Sequence, residues 1–159
     1  MAIPTPFAAV EPLINHLPNK FTFSEPCAGD GQLCRHLEYF GGVCIWASDI
    51  SPQLEGIVEN DFTEIGEDQV LESQFIITNP PWDRKILHPV IEHFAPQRPT
   101  WLLFDADWVH TKQSVPYIKY LHKIVSTSQI SSGGRPCAWH LFDAQTPPIM
   151  GVIFHGRAS

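Results

Sequence analysis

Apolar and polar residues along this chain follow two rhythms. "FTFSEP" (Phe21 to Pro26) reads as a short strand that ends at a turn. In "GDGQLCRHLEYFGG", Leu33, Leu37 and Phe40 recur at helical spacing, and Gly41-Gly42 supplies the stop. "VCIWASD" (Val43 to Asp49) is almost continuously apolar, the pattern of a strand buried on both faces. "QFIITN" and "TWLLFD" repeat it, and "RKILHPVIEHF" between them predicts a helix interrupted or kinked at Pro89.

Strands alternating with helices predict a parallel sheet covered on both sides. After Asp105 the rhythm changes. "KIVSTSQI", "CAWHLFDA" and "IMGVIFH" are strand-like, and "SSGGRP" joins the first two as an antiparallel hairpin linker. The expected fold is therefore α/β, a mostly parallel sheet finished by an antiparallel C-terminal hairpin. No internal repeat or low-complexity linker divides it, and 159 residues suit one domain, 1–159, built on a single core.

Composition narrows the class. At 43% hydrophobic residues the chain has the make-up of a globular protein rather than a disordered one. The start "MAIPTPFAAVEP" has no basic region and is broken by Pro4 and Pro6, and no stretch approaches the length of a membrane span. The expectation is a cytoplasmic protein without a membrane partner. Cys27, Cys34, Cys44 and Cys137 form no C-x-x-C pair and read as buried thiols, so no metal site is expected. A net charge of −7 argues against gripping nucleic acid by bulk electrostatics and leaves room for a local basic rim.

In doubly wound sheets, ligands sit beyond the carboxyl ends of the strands. The polar punctuation falls there: "EPCAGDG", "SDI", "NDF", "NPPW" and "DADW". Gly29 and Gly31 would let backbone approach a ligand as the first helix begins. Asp49 follows Gly29 by 20 residues, the separation at which an acid meets ribose hydroxyls in such folds. The turn lacks a G-x-G-x-x-G loop and a P-loop lysine. Its Glu25 and Asp30 suit a cofactor with ribose and positive charge better than one with phosphates, which points to S-adenosylmethionine over NAD or ATP.

"EPCAGDG", "SDI", "NDF" and "NPPW", in this order and spacing, resemble the class I S-adenosylmethionine-dependent methyltransferases, most of all those that methylate the amino group of adenine in DNA or RNA. The resemblance covers Thr5 to about Asp105 and implies a Rossmann-like sheet. It also implies that Glu25, Pro26, Cys27, Ala28, Gly29 and Gly31 hold the methionine part of the cofactor. Thr5, within "TPFAAVEPLI", would belong to a segment covering that end. Asp49 would bind the ribose hydroxyls with Ile50 against the adenine, and Asp61 would accept from the cofactor's amino group with Phe62 beside the ring. Asn79 would border both cofactor and substrate.

The chemistry of "NPPW" follows from its residues. An exocyclic amino nitrogen on a base is a poor nucleophile, because its lone pair is delocalised into the ring. Two acceptors that take its two hydrogens draw it towards tetrahedral geometry. The Asn79 side-chain carbonyl and the Pro80 backbone carbonyl are such a pair. Pro80 and Pro81 fix their own φ angles and bring no competing N–H. Trp82 offers a face on which an extruded base can stack. Trp108 is expected to form a second wall of the substrate pocket, and Arg135 to touch phosphate from the hairpin loop. Arg84 and Lys85 either meet phosphate or form a solvated first helical turn.

Two alternatives accompany the adenine reading. One is methylation of a protein glutamine amide, which is also planar with two amino hydrogens. The other is a non-catalytic regulatory or viral protein that binds S-adenosylmethionine. With no room for a separate target-recognition domain, recognition of nucleic acid would fall to another subunit or to the hairpin and loops.

Overall fold

The computed structural model describes residues 4–70, 72–130 and 133–148. Helix α1 (Phe7–Ile14) precedes β1 (Phe21–Glu25), α2 (Gln32–Tyr39), β2 (Gly42–Asp49) and a two-residue β3 (Val58–Glu59). After α3 (Glu67–Val70) come β4 (Phe75–Thr78), α4 (Arg84–Phe94) and β5 (Thr100–Asp105). Two 3₁₀ segments, Trp108–His110 and Lys112–Tyr120, lead into β6 (Leu121–Ile130) and β7 (Pro136–Phe142). The strands make one sheet in the order β3-β2-β1-β4-β5-β7-β6. Strands β1 to β5 pair in parallel, whereas β7 runs antiparallel to both β5 and β6. The expected parallel sheet with a closing hairpin is therefore the observed one. The run "IMGVIFH" lies outside the described residues.

The alternation of strand side chains sorts the core into two layers. Ile77, Trp101 and Leu103 face α1 and α2, joining Val10, Leu13, Leu33 and Leu37. Ile76, Leu102 and Phe104 face the other way, joining Leu87, Val90, Ile91 and Phe94 of α4. Helix α4 starts on Asp83, whose carboxylate accepts the Lys85 N–H at 2.9 Å, a cap worth about 1 kcal/mol. Pro89 sits inside this helix without ending it. In the second layer His140 stacks on Phe104, with ring centroids 3.9 Å apart, and donates from Nδ1 to the Ala138 carbonyl. Burial pushes its imidazole down to about 3, so it is a neutral core ring.

Strand β2 departs from expectation. It is not buried on both faces: Val43 is 56% exposed, and Cys44 to Ala47 are only half-buried. The reason is its place in the sheet. Among the described residues, β2 is paired on its outer side only at Ser48 and Asp49, by the two-residue β3, so most of the strand behaves as an edge.

Candidate active site

The carboxyl ends of four parallel strands deliver Glu25, Asp49, Asn79 and Asp105 to one edge of the sheet. A cleft of about 520 Å³ opens there, lined among others by Pro26, Asp49, Ile50, Asp61, Phe62 and Pro81. That is the size range of small-molecule sites. A smaller hollow adjoins it, where Thr5, Glu25, Ala28 and Asn79 meet, and Cys27 borders both spaces. The motifs picked from the sequence thus converge, including Thr5, which lies 74 residues from Asn79.

The turn after β1 is shaped by its glycines and tied to β2. Gly29 and Gly31 have φ of 55° and 77°, where a side chain would be strained. The Gly29 N–H donates to Asp49 Oδ2 at 2.9 Å, and the Ser51 N–H donates to Asp49 Oδ1 at 2.8 Å. A carboxylate has about four lone-pair positions, so these bonds orient Asp49 without exhausting it. Ile50, 69% exposed, presents an apolar face to the cleft. Asp61 accepts from the N–H and hydroxyl of Thr63, each at 2.9 Å, and these bonds hold it below the usual carboxylate range.

Glu25 lies deeper. It is 1% exposed, and its Oε1 accepts the Cys27 N–H at 2.9 Å. Burial raises its carboxyl from 4.5 to about 8, so near neutral pH most of it holds its proton. A cationic group arriving in the hollow would favour the carboxylate instead.

Asn79 is held from two sides. Its Nδ2 donates to Thr5 Oγ1 at 3.1 Å, while its Oδ1 accepts the Trp82 indole N–H at 3.3 Å. Indole is a donor only, so the bond to Trp82 fixes which end of the amide is oxygen. The same indole N–H reaches the Leu103 carbonyl at 3.2 Å, which ties the loop after β4 to β5. Trp82 is half-buried and packs against both core layers, so only part of its ring faces outward.

One expected substrate contact comes out differently. Trp108 is not a pocket wall: it is fully buried in the second core layer, and its indole N–H donates to His88 Nε2 at 3.1 Å. The 3₁₀ turn after β5 points this large apolar ring into the core while leaving Asp107 and His110 exposed. Arg135 directly precedes β7, and its largely exposed guanidinium donates to Asp105 Oδ2 at 3.1 Å. Asp105 therefore serves an ion pair. Among the described residues no three His, Cys, Asp or Glu side chains gather as metal ligands. Sequence reading also missed Gln53 and Asn60 in the cleft. Asn60 adjoins Asp61 in "NDF" and could have been included, whereas nothing in the pattern marks Gln53.

No known family profile matches the chain, and no curated protein matches it in sequence. Solved structures do match. A Lactococcus lactis protein provisionally described as a hemolysin superposes with a TM-score of 0.63 at 12% identity, over 91% of this chain and 90% of that one. A Listeria monocytogenes protein provisionally assigned to the class I S-adenosylmethionine-dependent methyltransferases gives 0.57 at 12% identity, over 96% and 63%. A dimethyladenosine transferase from Plasmodium falciparum gives 0.57 at 12%, over 91% and 64%. At such identity the likeness defines the fold, which is the Rossmann-like fold of class I methyltransferases.

Proposed function

We propose that this chain is an S-adenosylmethionine-dependent methyltransferase acting on an exocyclic amino group, that of adenine in DNA or RNA. One observation carries the reading: Asn79, at the end of β4, has its amide oriented by Thr5 and Trp82 beside a cleft lined by Asp49 and Asp61. The dimethyladenosine transferase sharing the fold supports the choice of adenine.

The residues present fit the cofactor. Asp49 and Asp61 would hold its ribose hydroxyls and adenine amino group, with Ile50 and Phe62 against the ring. Glu25, Thr5 and the turn from Pro26 to Gly31 would enclose its methionine end. When bound, S-adenosylmethionine supplies an electrophilic methyl group on a sulfonium. The chain's own part is to position and polarise the nucleophile. Asn79 Oδ1 and the Pro80 carbonyl accept the two amino hydrogens and aim the nitrogen lone pair. An amide oxygen has two lone pairs, so Oδ1 can serve Trp82 and the substrate together. Rigid placement by Pro80 and Pro81 supplies much of the acceleration. The outward part of Trp82 stacks on the planar substrate, and the proton leaves after transfer. A recognition subunit, or the loops themselves, would select the target.

The net charge of −7 favours the second reading, a protein glutamine amide in place of the base. Labelled S-adenosylmethionine incubated with DNA, RNA and protein fractions separates the two, and transfer to none of them overturns both. Asn79→Ala should leave cofactor affinity by calorimetry nearly intact and slow transfer by about a hundred- to thousand-fold. That follows from about 2.7–4 kcal/mol for one preorganised hydrogen-bond partner. Transfer at the parental rate would refute the amino-group mechanism.

A further inference from the structure

Beside the Asn79 cradle lies a charge arrangement that the cofactor cleft does not use. Asp105 closes β5 and is 4% exposed. Its Oδ1 accepts the Asp107 N–H at 2.9 Å. Its Oδ2 accepts from Arg135 Nη1 at 3.1 Å and lies 3.6 Å from Arg84 Nη2. Two guanidiniums converge on one carboxylate, and the three side chains together are net positive in a chain whose net charge is −7. One arginine would neutralise a buried carboxylate. The second is drawn in against the repulsion of the first.

The two arginines come from separate parts of the fold. Arg84 opens α4, and its Nη1 donates to the Trp82 carbonyl at 3.0 Å, so this cation is joined to the cradle loop itself. Arg135 leads into β7, and its side chain stays 62% exposed. Guanidinium groups present several N–H donors in a planar fork, which matches the oxygens of a phosphodiester. A single carboxylate that gathers two such forks next to the cradle preorganises a site for an anion with several acceptor oxygens.

We propose that Arg84 and Arg135, gathered by Asp105, clamp a backbone phosphate of the nucleic-acid strand whose base enters the Asn79 cradle. The proposal deepens the amino-methyltransferase reading and rests on it for the substrate class. It makes Asp105 a positioning residue and gives the acidic chain a local means of holding a polyanion. The hairpin then takes part in substrate binding through the residue that leads into β7.

The test is fluorescence anisotropy of labelled single-stranded DNA and RNA oligonucleotides containing adenine, with S-adenosylhomocysteine present, over a salt series. Each phosphate that a variant no longer neutralises should flatten the slope of log affinity against log salt by about 0.7. Arg84→Ala and Arg135→Ala should each flatten it by part of that step, and the double variant by the whole of it, about 0.7, with S-adenosylhomocysteine affinity retained. Arg135→Ala, on an exposed side chain, keeps the test valid should Arg84→Ala misfold. A double variant with the parental slope and affinity overturns the clamp, as does a parent that binds neither oligonucleotide. A merely structural ion pair would change the denaturation midpoint and leave the slope alone. Failure of the functional reading looks different: the parent binds oligonucleotide through the arginines yet transfers no methyl group to it.

Discussion

Thr5 and Glu25 show how single side chains set the chemistry of this edge. Thr5 is 3% exposed and accepts from Asn79 Nδ2, so its hydroxyl orients the amide. Thr5→Val keeps the shape and removes the acceptor. It should lower kcat by about twofold to tenfold, the worth of one ordinary hydrogen bond of about 0.5–1.5 kcal/mol, while Thr5→Ser restores it. A fall in cofactor affinity with unchanged kcat would return Thr5 to a purely cofactor-facing role. Glu25 makes stability depend on pH. Its folded value is about 8 and its ordinary value 4.5, so between them the native state keeps a proton that the unfolded chain has lost. The unfolded state binds fewer protons there, and stability must fall as pH rises through that window, levelling off above about 8. Glu25→Gln lacks this dependence. Urea midpoints of parent and variant should move apart in the variant's favour from about pH 5 to pH 8.5, and a constant difference would show that Glu25 is ionised in the native protein. Both residues were visible in the sequence as members of motifs. Their partnerships were not, because Thr5 and Asn79 meet only when α1 docks, and the burial of Glu25 depends on the whole edge.

The link between α2 and β2 shows how tightly an element boundary can be specified. Gly41 has φ of 101°, and a Cβ there would stand 2.5 Å from the Asn19 carbonyl oxygen. Left-handed backbone costs a residue with a side chain about 1–2 kcal/mol, and the clash with main chain adds to it. Gly41→Ala should therefore destabilise by about 2 kcal/mol or more by urea denaturation. Gly56 has φ of 93°, and a Cβ there would meet nothing within 4 Å, so Gly56→Ala should cost only the backbone part. Equal losses for the two would show that the Asn19 clash is readily relaxed. The Gly-Gly stop was legible in the sequence, and so were β1, β4, β5 and the hairpin, because each pairs a strong apolar run with a turn. The edge character of β2 was not legible. Its residues are apolar enough for a central strand, and only the shortness of β3 leaves it uncovered. Trp108 misled for a related reason: a tryptophan near a strand end looks the same whether a 3₁₀ turn directs it outward or into the core.

At the scale of the whole molecule, the mostly parallel sheet was readable because helix-strand alternation admits few topologies, and the change of rhythm after Asp105 marked the antiparallel hairpin. The side-chain geometry of the site was less readable, since residues far apart in the chain build it. Arg135 joins Asp105 and Arg84 only through the pairing of β5 with β7. The same holds for the bond from the Trp139 indole N–H to the Ala9 carbonyl at 2.8 Å, which crosses 130 positions and seats α1 against the far strands. That bond has a consequence for the order of assembly. Closing so long a loop is entropically slow, and folds dominated by distant pairings form late. Only Pro6 separates Thr5 from α1, so Thr5 meets Asn79 once that helix has docked, and the Trp139 bond is part of that docking. On the ribosome, a nascent chain that has already formed β1 to β5 would bury most of its core and still lack an oriented amide. Competence would then be the last property the chain acquires as it folds, and the first it loses when α1 lifts away.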